Sequence, residues 1–166
     1  MWIFRVCAMI VLALGLAACG GKSKFQNYDG PEITSIQVHK GDRKMYMITN
    51  GRIHKQYDIQ LGRTPKGHKQ FEGDGKTPEG TYHIDRRNPN SRYHLSLGVS
   101  YPNTQDRAFA ISQGKSAGGD IMIHGLPPRA KVLPKDWTEG CIAVNNTEIE
   151  EIYAMIKDYT VIHILP

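Results

Sequence analysis

Ile121-Met122-Ile123-His124-Gly125 and, after a loop, Thr138-Glu139-Gly140-Cys141-Ile142-Ala143-Val144 form the stretch on which the reading of this chain turns. Each half joins a short apolar run to one chemically active side chain. The first reads as a buried strand ending in a histidine and a glycine. Cys141 follows His124 by 17 positions, a separation across which a loop can bring two strand-end residues together. A thiol must lose its proton before it attacks a carbonyl, and an adjacent imidazole is the usual means. Gly140 allows a tight turn whose amides, those of Gly140 and Cys141, can converge on one point as an oxyanion hole. Taken singly, Cys141 also fits a small buried hydrophobe beside Ile142 and Val144. His124 alone equally fits a hydrogen-bonded histidine at a strand end.

The cysteine count bears on this choice. Of the three cysteines, Cys7 and Cys19 lie in an N-terminal segment with the features of an export signal. Arg5 supplies its positive end, residues 6–14 its apolar centre, and Leu16-Ala17-Ala18-Cys19 places small residues before a cysteine. The apolar stretch is shorter than the roughly 20 residues that a membrane-spanning helix needs. The segment resembles the lipobox of bacterial lipoproteins, which implies removal of residues 1–18 and acylation of Cys19. Gly20 stands where Asp would signal inner-membrane retention in Gram-negative cells, so the resemblance implies a periplasmic protein anchored to the outer membrane. Residues 19–32 are then a lipidated tether, beginning with the flexible Gly20-Gly21-Lys22-Ser23-Lys24. Cys141 is left as a lone thiol in an exported chain, with no partner for an internal disulfide.

Residues 33–166 suit a single domain with one core. Lys and Arg number 21 against 16 Asp and Glu, a net charge of +5 spread along the chain. No clustered basic stripe supports nucleic-acid binding. A mildly basic exported protein suits an anionic partner such as cell wall or lipid headgroups. Residues 33–38, 44–49 and 52–59 read as three antiparallel strands, the last two joined by the hairpin signal Asn50-Gly51. Residues 73–80 are a loop rich in turn formers, 81–85 a strand, and 86–92 irregular because of Asn-Pro-Asn-Ser. Ala108-Phe109-Ala110-Ile111 and residues 120–124 continue the strand-rich pattern. Residues 115–119 and 126–137 read as loops. One helix is expected, starting near Thr147 with Glu150 in a capping box and Ile149, Ile152, Tyr153, Ile156 and Tyr159 on one face. Residues 161–165 read as a closing strand. The expected fold is mainly β, sandwich-like or barrel-like, with one amphipathic helix.

The two motifs, preceded by Gly73-Asp74-Gly75-Lys76-Thr77-Pro78-Glu79-Gly80-Thr81-Tyr82, resemble the L,D-transpeptidase family with a YkuD-type catalytic domain. The resemblance runs from about Ile33 to Leu165. It implies a β-rich domain acting on peptidoglycan stem peptides, with Cys141 as nucleophile and His124 as general base. Gly125 would orient the imidazole through its main chain, and amides around Gly140 and Cys141 would form the oxyanion hole. The family cysteine attacks the carbonyl of the third stem residue, a diamino acid, and expels the terminal D-Ala; an amine then takes the acyl group. Two positions depart from the family pattern. Glu139 stands where a second histidine is common, and Ala143 where an arginine is common. A carboxylate near Cys141 would raise the thiol pKa. The Glu-Gly-Cys-Ile-Ala form resembles a subgroup that includes proteins acting on wall-linked lipoproteins, so hydrolysis or crosslink cleavage stands beside crosslink formation, with a non-catalytic wall-binding role as a third reading.

Glu139, Arg129 and Thr138 are candidate substrate contacts, with Lys131 and Lys135 in the same loop; a solvated surface role is the alternative for each charge. Trp137 either walls the site or fills the core, and the core is favoured. No histidine spacing suits zinc, no phosphate-binding loop is complete, and no cofactor is expected.

Overall fold

The computed structural model describes residues 23–129 and 132–166. The export segment, Cys19 and Lys131 lie outside the described residues. Eight strands and two helices follow in the order β1 (Ser35–His39), β2 (Lys44–Thr49), β3 (Arg52–Asp58), β4 (Gly80–Asn88), β5 (Ser96–Val99), α1 (Thr104–Ser112), β6 (Met122–His124), β7 (Ile142–Ala143), α2 (Asn146–Met155) and β8 (Val161–Leu165). All strands join one sheet, ordered β3-β2-β1-β8-β4-β5-β6-β7. The chain leaving β3 crosses to the far edge, where Gln60 bridges Ala143 and Gly62 bridges Thr138. The two ends of the sheet thereby approach each other, and the sheet curls into a half-barrel. Among the described residues no helix is long and apolar enough to cross a membrane.

The first three strands form the antiparallel meander that their alternation predicts, with Asn50 and Gly51 both at positive φ in the hairpin turn. β8 does not close an edge. It lies in the middle, parallel to β1 and antiparallel to β4, and buries Ile162 and Ile164 completely or nearly so. A last strand of alternating aliphatics has two faces to fill and two neighbours to satisfy, which a central position provides. The core joins Ile36 and Val38, Met45 and Met47, Tyr82 and Ile84, and Ile149, Ile152 and Met155 of α2. Each fully buried aliphatic side chain contributes about 1.5–3 kcal/mol.

Three further expectations need correction. Residues 86–92 are not wholly irregular, because β4 runs to Asn88 and absorbs a bulge between Ile84 and Arg86. Residues 108–111 belong to a helix. Asn103 caps α1 and exchanges hydrogen bonds with Asp106, whose buried carboxylate also receives Tyr82 Oη at 3.0 Å and meets His68 Nε2 at 3.0 Å. That polar anchor replaces an apolar stripe, so Phe109 and Ile111 remain exposed. The α2 box forms two positions earlier than expected, between Asn145 and Glu148. The helix ends at Met155, leaving Tyr159 exposed in a left-handed turn.

Residues 23–32 form no strand, yet they lie against the domain. Lys24 Nζ donates to Pro89 O and His94 O, Phe25 packs near Tyr153, and Glu32 pairs with Lys157.

Candidate active site

β6 and β7 are parallel neighbours with His124 beside Ala143 and Ile123 beside Ile142. Continuing that register sets Met122 beside Cys141. Side chains alternate along a strand, so Ile123 and Ile142 point into the core while Met122, His124, Cys141 and Ala143 share the opposite face. A cleft of about 250 Å³ opens on that face, lined by Cys141, His124, Met122, Asp120, Ser96 and the 88–93 loop. The cysteine and histidine that are 17 positions apart in sequence thus share one pocket.

His124 is 3% exposed, and its Nδ1 lies 2.7 Å from Gly125 O. A carbonyl only accepts, so Nδ1 carries the proton and Nε2 is the basic nitrogen. Burial holds the imidazole pKa below its ordinary value, partly offset by the bond to Gly125. Tyr93 lies 4.5 Å from the imidazole between ring centroids, and Trp137 meets it edge-on at 5.6 Å. Trp137, half-buried and outside the core cluster, therefore packs on the His124 ring instead of filling the core. Gly125 is required by space: a Cβ there would stand 2.6 Å from Asn146 Oδ1 and 2.9 Å from Tyr93 O. The start of α2 and the 88–94 loop close on the residue that orients the base.

The Cys141 turn is wired from inside. Thr138 Oγ1 donates to Cys141 O at 2.7 Å and accepts from Gly140 N at 3.2 Å. Thr138 is 4% exposed, and its hydroxyl is committed to shaping the turn. The Gly140 amide is committed to Thr138 and is not free for an oxyanion. Among the described residues the Cys141 amide has no hydrogen-bond partner, and it is left available as a donor. Gly140 is needed for a different reason. Its φ is +132°, and a Cβ would stand 2.6 Å from Lys76 O. Gly62 is equally constrained, with Gly75 O at 2.2 Å from its would-be Cβ. The 73–80 loop thus lies backbone to backbone against the Cys141 turn. Asp74 secures that loop. Burial works against its charge, but the amides of Gln70, Lys76 and Phe71 and the Lys69 ammonium hold its pKa down to about 2.

Glu139 points out of the cleft, exposed and bound through both oxygens to Arg63 Nε. Arg129 sits exposed at positive φ in the 126–137 loop and does not line the cleft. The carboxylate that affects the thiol is Asp120, which the sequence reading passed over. Cys141 Sγ donates to Asp120 O at 3.5 Å. Burial pushes the thiol pKa up, the Met122 amide opposes it, and the Asp120 charge raises it further, against the cations Lys69 and Arg86. With the thiol raised and the imidazole lowered, the two rest as neutral groups. Among the described residues no three His, Cys, Asp or Glu side chains gather as metal ligands.

Over residues 33–164 the chain matches the YkuD family, the L,D-transpeptidase catalytic domain. The chain belongs to this family. It is 36% identical over 128 residues to YafK of Escherichia coli (strain K12), a match covering 73% of this chain and 46% of YafK. Among solved structures it is similar to the helical cell shape determining protein Pgp2 from Campylobacter jejuni, with a TM-score of 0.63 and 28% identity over 90% of this chain and 53% of Pgp2. Bdellovibrio bacteriovorus Bd1075 gives a TM-score of 0.56 and 26% identity over 85% of this chain and 50% of that one. The chain spans about half the length of these relatives. The family acts on peptidoglycan stem peptides, and the mainly β half-barrel with two helices is its fold.

Proposed function

We propose that this protein is a cell-wall cysteine acyltransferase, an L,D-transpeptidase with Cys141 as nucleophile and His124 as general base. The observation that carries the reading is the placing of both side chains on one face of the β6–β7 ladder, with Nδ1 tied to Gly125 O and Nε2 left as the base. The sulfur attacks the carbonyl of the third stem residue as its proton passes to Nε2. The developing oxyanion is met by the Cys141 amide. The imidazolium returns the proton to the departing D-Ala amine as the carbon–nitrogen bond breaks, leaving a thioester. An incoming amine then attacks the thioester and releases the thiol.

Transfer to water is the second reading, giving an L,D-carboxypeptidase or an enzyme that cleaves crosslinks or lipoprotein links. It is favoured by Glu139, which is held by Arg63 away from the cleft and so does not orient an acceptor amine. An intact cysteine and histidine in one cleft argue against a purely wall-binding role. The lipobox-like segment supports a periplasmic location with a lipid anchor at Cys19.

Purified protein incubated with isolated muropeptides tests this. Cys141→Ala is expected to lower turnover by more than about a thousandfold, and His124→Ala by about a hundredfold or more. Mass spectrometry separates the readings, since stems joined between diamino acids mark transfer while shortened stems or released lipoprotein remnants mark hydrolysis. Full turnover by Cys141→Ala would sink both.

A further inference from the structure

Arg86 reaches the active site from a distance that its position in the sequence does not suggest. It lies on β4, two strands away from β6. The bulge between Ile84 and Arg86 re-aims its side chain. The guanidinium then crosses β5 at Gly98, packed closely over it: a Cβ there would stand 2.4 Å from Arg86 Cγ and 2.4 Å from Asp85 Oδ1, so both side chains would have to shift. On the far side, Arg86 Nη2 donates to Asp120 Oδ1 at 2.8 Å and lies 3.8 Å from Met122 Sδ. Asp120 adopts a φ of 54°, unusual for a residue with a side chain, and its carbonyl accepts the Cys141 S–H.

Stability does not account for this construction. The Asp120 side chain is 93% exposed and that of Arg86 43%, and ion pairs so solvated contribute little to folding. A bulge, a closely covered glycine and a left-handed aspartate nonetheless combine to form the pair, and they form it where the thiol finds its acceptor. We propose that Arg86 is a positioning residue for Cys141, acting through Asp120. The guanidinium fixes Asp120 in its left-handed turn, so that the carbonyl holds the resting thiol in place, and it offsets the carboxylate charge that would otherwise oppose the thiolate; the charge effect sets the sign of the pH profile. The other charged or titratable groups around the thiol are Asp85 against Arg86, Lys69, Arg92 at the rim and His124. The inference rests on Cys141 being the nucleophile, but its test reads the thiol itself and not wall chemistry.

The test is the pH dependence of Cys141 alkylation by iodoacetamide on the full chain, followed at that residue by peptide mass spectrometry. Arg86→Met is expected to slow alkylation at pH 8 by about three- to fivefold, the size appropriate to a partly exposed pair, and to move the profile to higher pH. Arg86→Lys should restore most of the rate, which separates lost charge from misfolding. In an Asp120→Asn background, Arg86→Met should have a clearly smaller effect, because only the direct attraction between the guanidinium and the thiolate is left to lose. Two results would overturn the proposal: an unchanged profile in Arg86→Met, or the same slowing in both backgrounds. If the cycle behaves as expected while muropeptides are not turned over, the proposed function fails and the positioning role stands.

Discussion

On one flank of Cys141, Gly62, the 75–76 peptide and Gly140 bring three backbone segments into contact, and Thr138 Oγ1 ties the turn shut from within. On the other flank, Arg86 and Asp120 meet as an exposed ion pair, and the 88–93 loop forms an open rim. The inner flank has no room for a Cβ and commits both the Gly140 amide and the Cys141 carbonyl to Thr138, whereas the outer flank is polar, solvated and adjustable. The contrast teaches how the fold divides the work on one residue. The inner turn fixes where the sulfur is, and the outer groups set how readily it loses its proton and what reaches it. Substitutions on the two flanks should therefore fail differently, the inner ones by losing the structure and the outer ones by changing the chemistry in an intact fold.

Gly140→Ala should break the inner flank most severely. The new Cβ would occupy an unfavourable backbone region and press on Lys76 O, at a combined cost of more than about 2 kcal/mol. A thermal melt should show the loss, and alkylation of Cys141 should lose its site-specific pH profile. A variant that melts with the native protein would remove the distinction between the flanks. Thr138→Val is the milder probe. It keeps the shape but leaves the Gly140 amide and the Cys141 carbonyl without their shared partner, a loss of about 1–3 kcal/mol for buried groups. Chemical denaturation measures it. Equal stability of Thr138→Val and native protein would mean that the turn is held by backbone packing alone.

The same division explains what could be read from the sequence. The hairpins of β1 to β3 follow from alternation and Asn50-Gly51, and β6 from a short apolar run, because these are local signals, whereas β7 is two residues long and shows only as an apolar stretch after Cys141. β5 was not legible: Ser96-Leu97-Gly98-Val99 is buried on both faces, so it shows no alternation, and its glycine reads as a breaker. α1 carried one readable sign, the Asn103 and Asp106 box, which exposed Phe109 and Ile111 masked by disturbing the helical period. At the site, Cys141 and His124 stood out through their motifs. The true constraint on Gly140 did not, since it comes from Lys76, 64 positions away. Arg86 was invisible for a similar reason. Its role depends on a bulge and on strand register, neither of which a linear motif contains.

The smallest expected effect lies furthest out. Lys24 Nζ donates to Pro89 O at 2.6 Å and to His94 O at 3.2 Å, so one ammonium joins both ends of the loop that presents Ser91, Arg92 and Tyr93 to the cleft. Tyr93 faces the imidazole, and its carbonyl receives the Gly125 amide at 3.0 Å. Residues expected to serve only as a tether thus brace the rim of the active site. Lys24→Met should leave the core, the inner turn and the thiol profile as they are, because it touches none of them. It should loosen the loop, seen as faster amide hydrogen exchange over residues 90–93, with a modest rise in KM and unchanged kcat. Faster exchange in the Cys141 turn as well would show that the two flanks are mechanically coupled, and the division between a fixed inner side and an adjustable outer side would have to be given up.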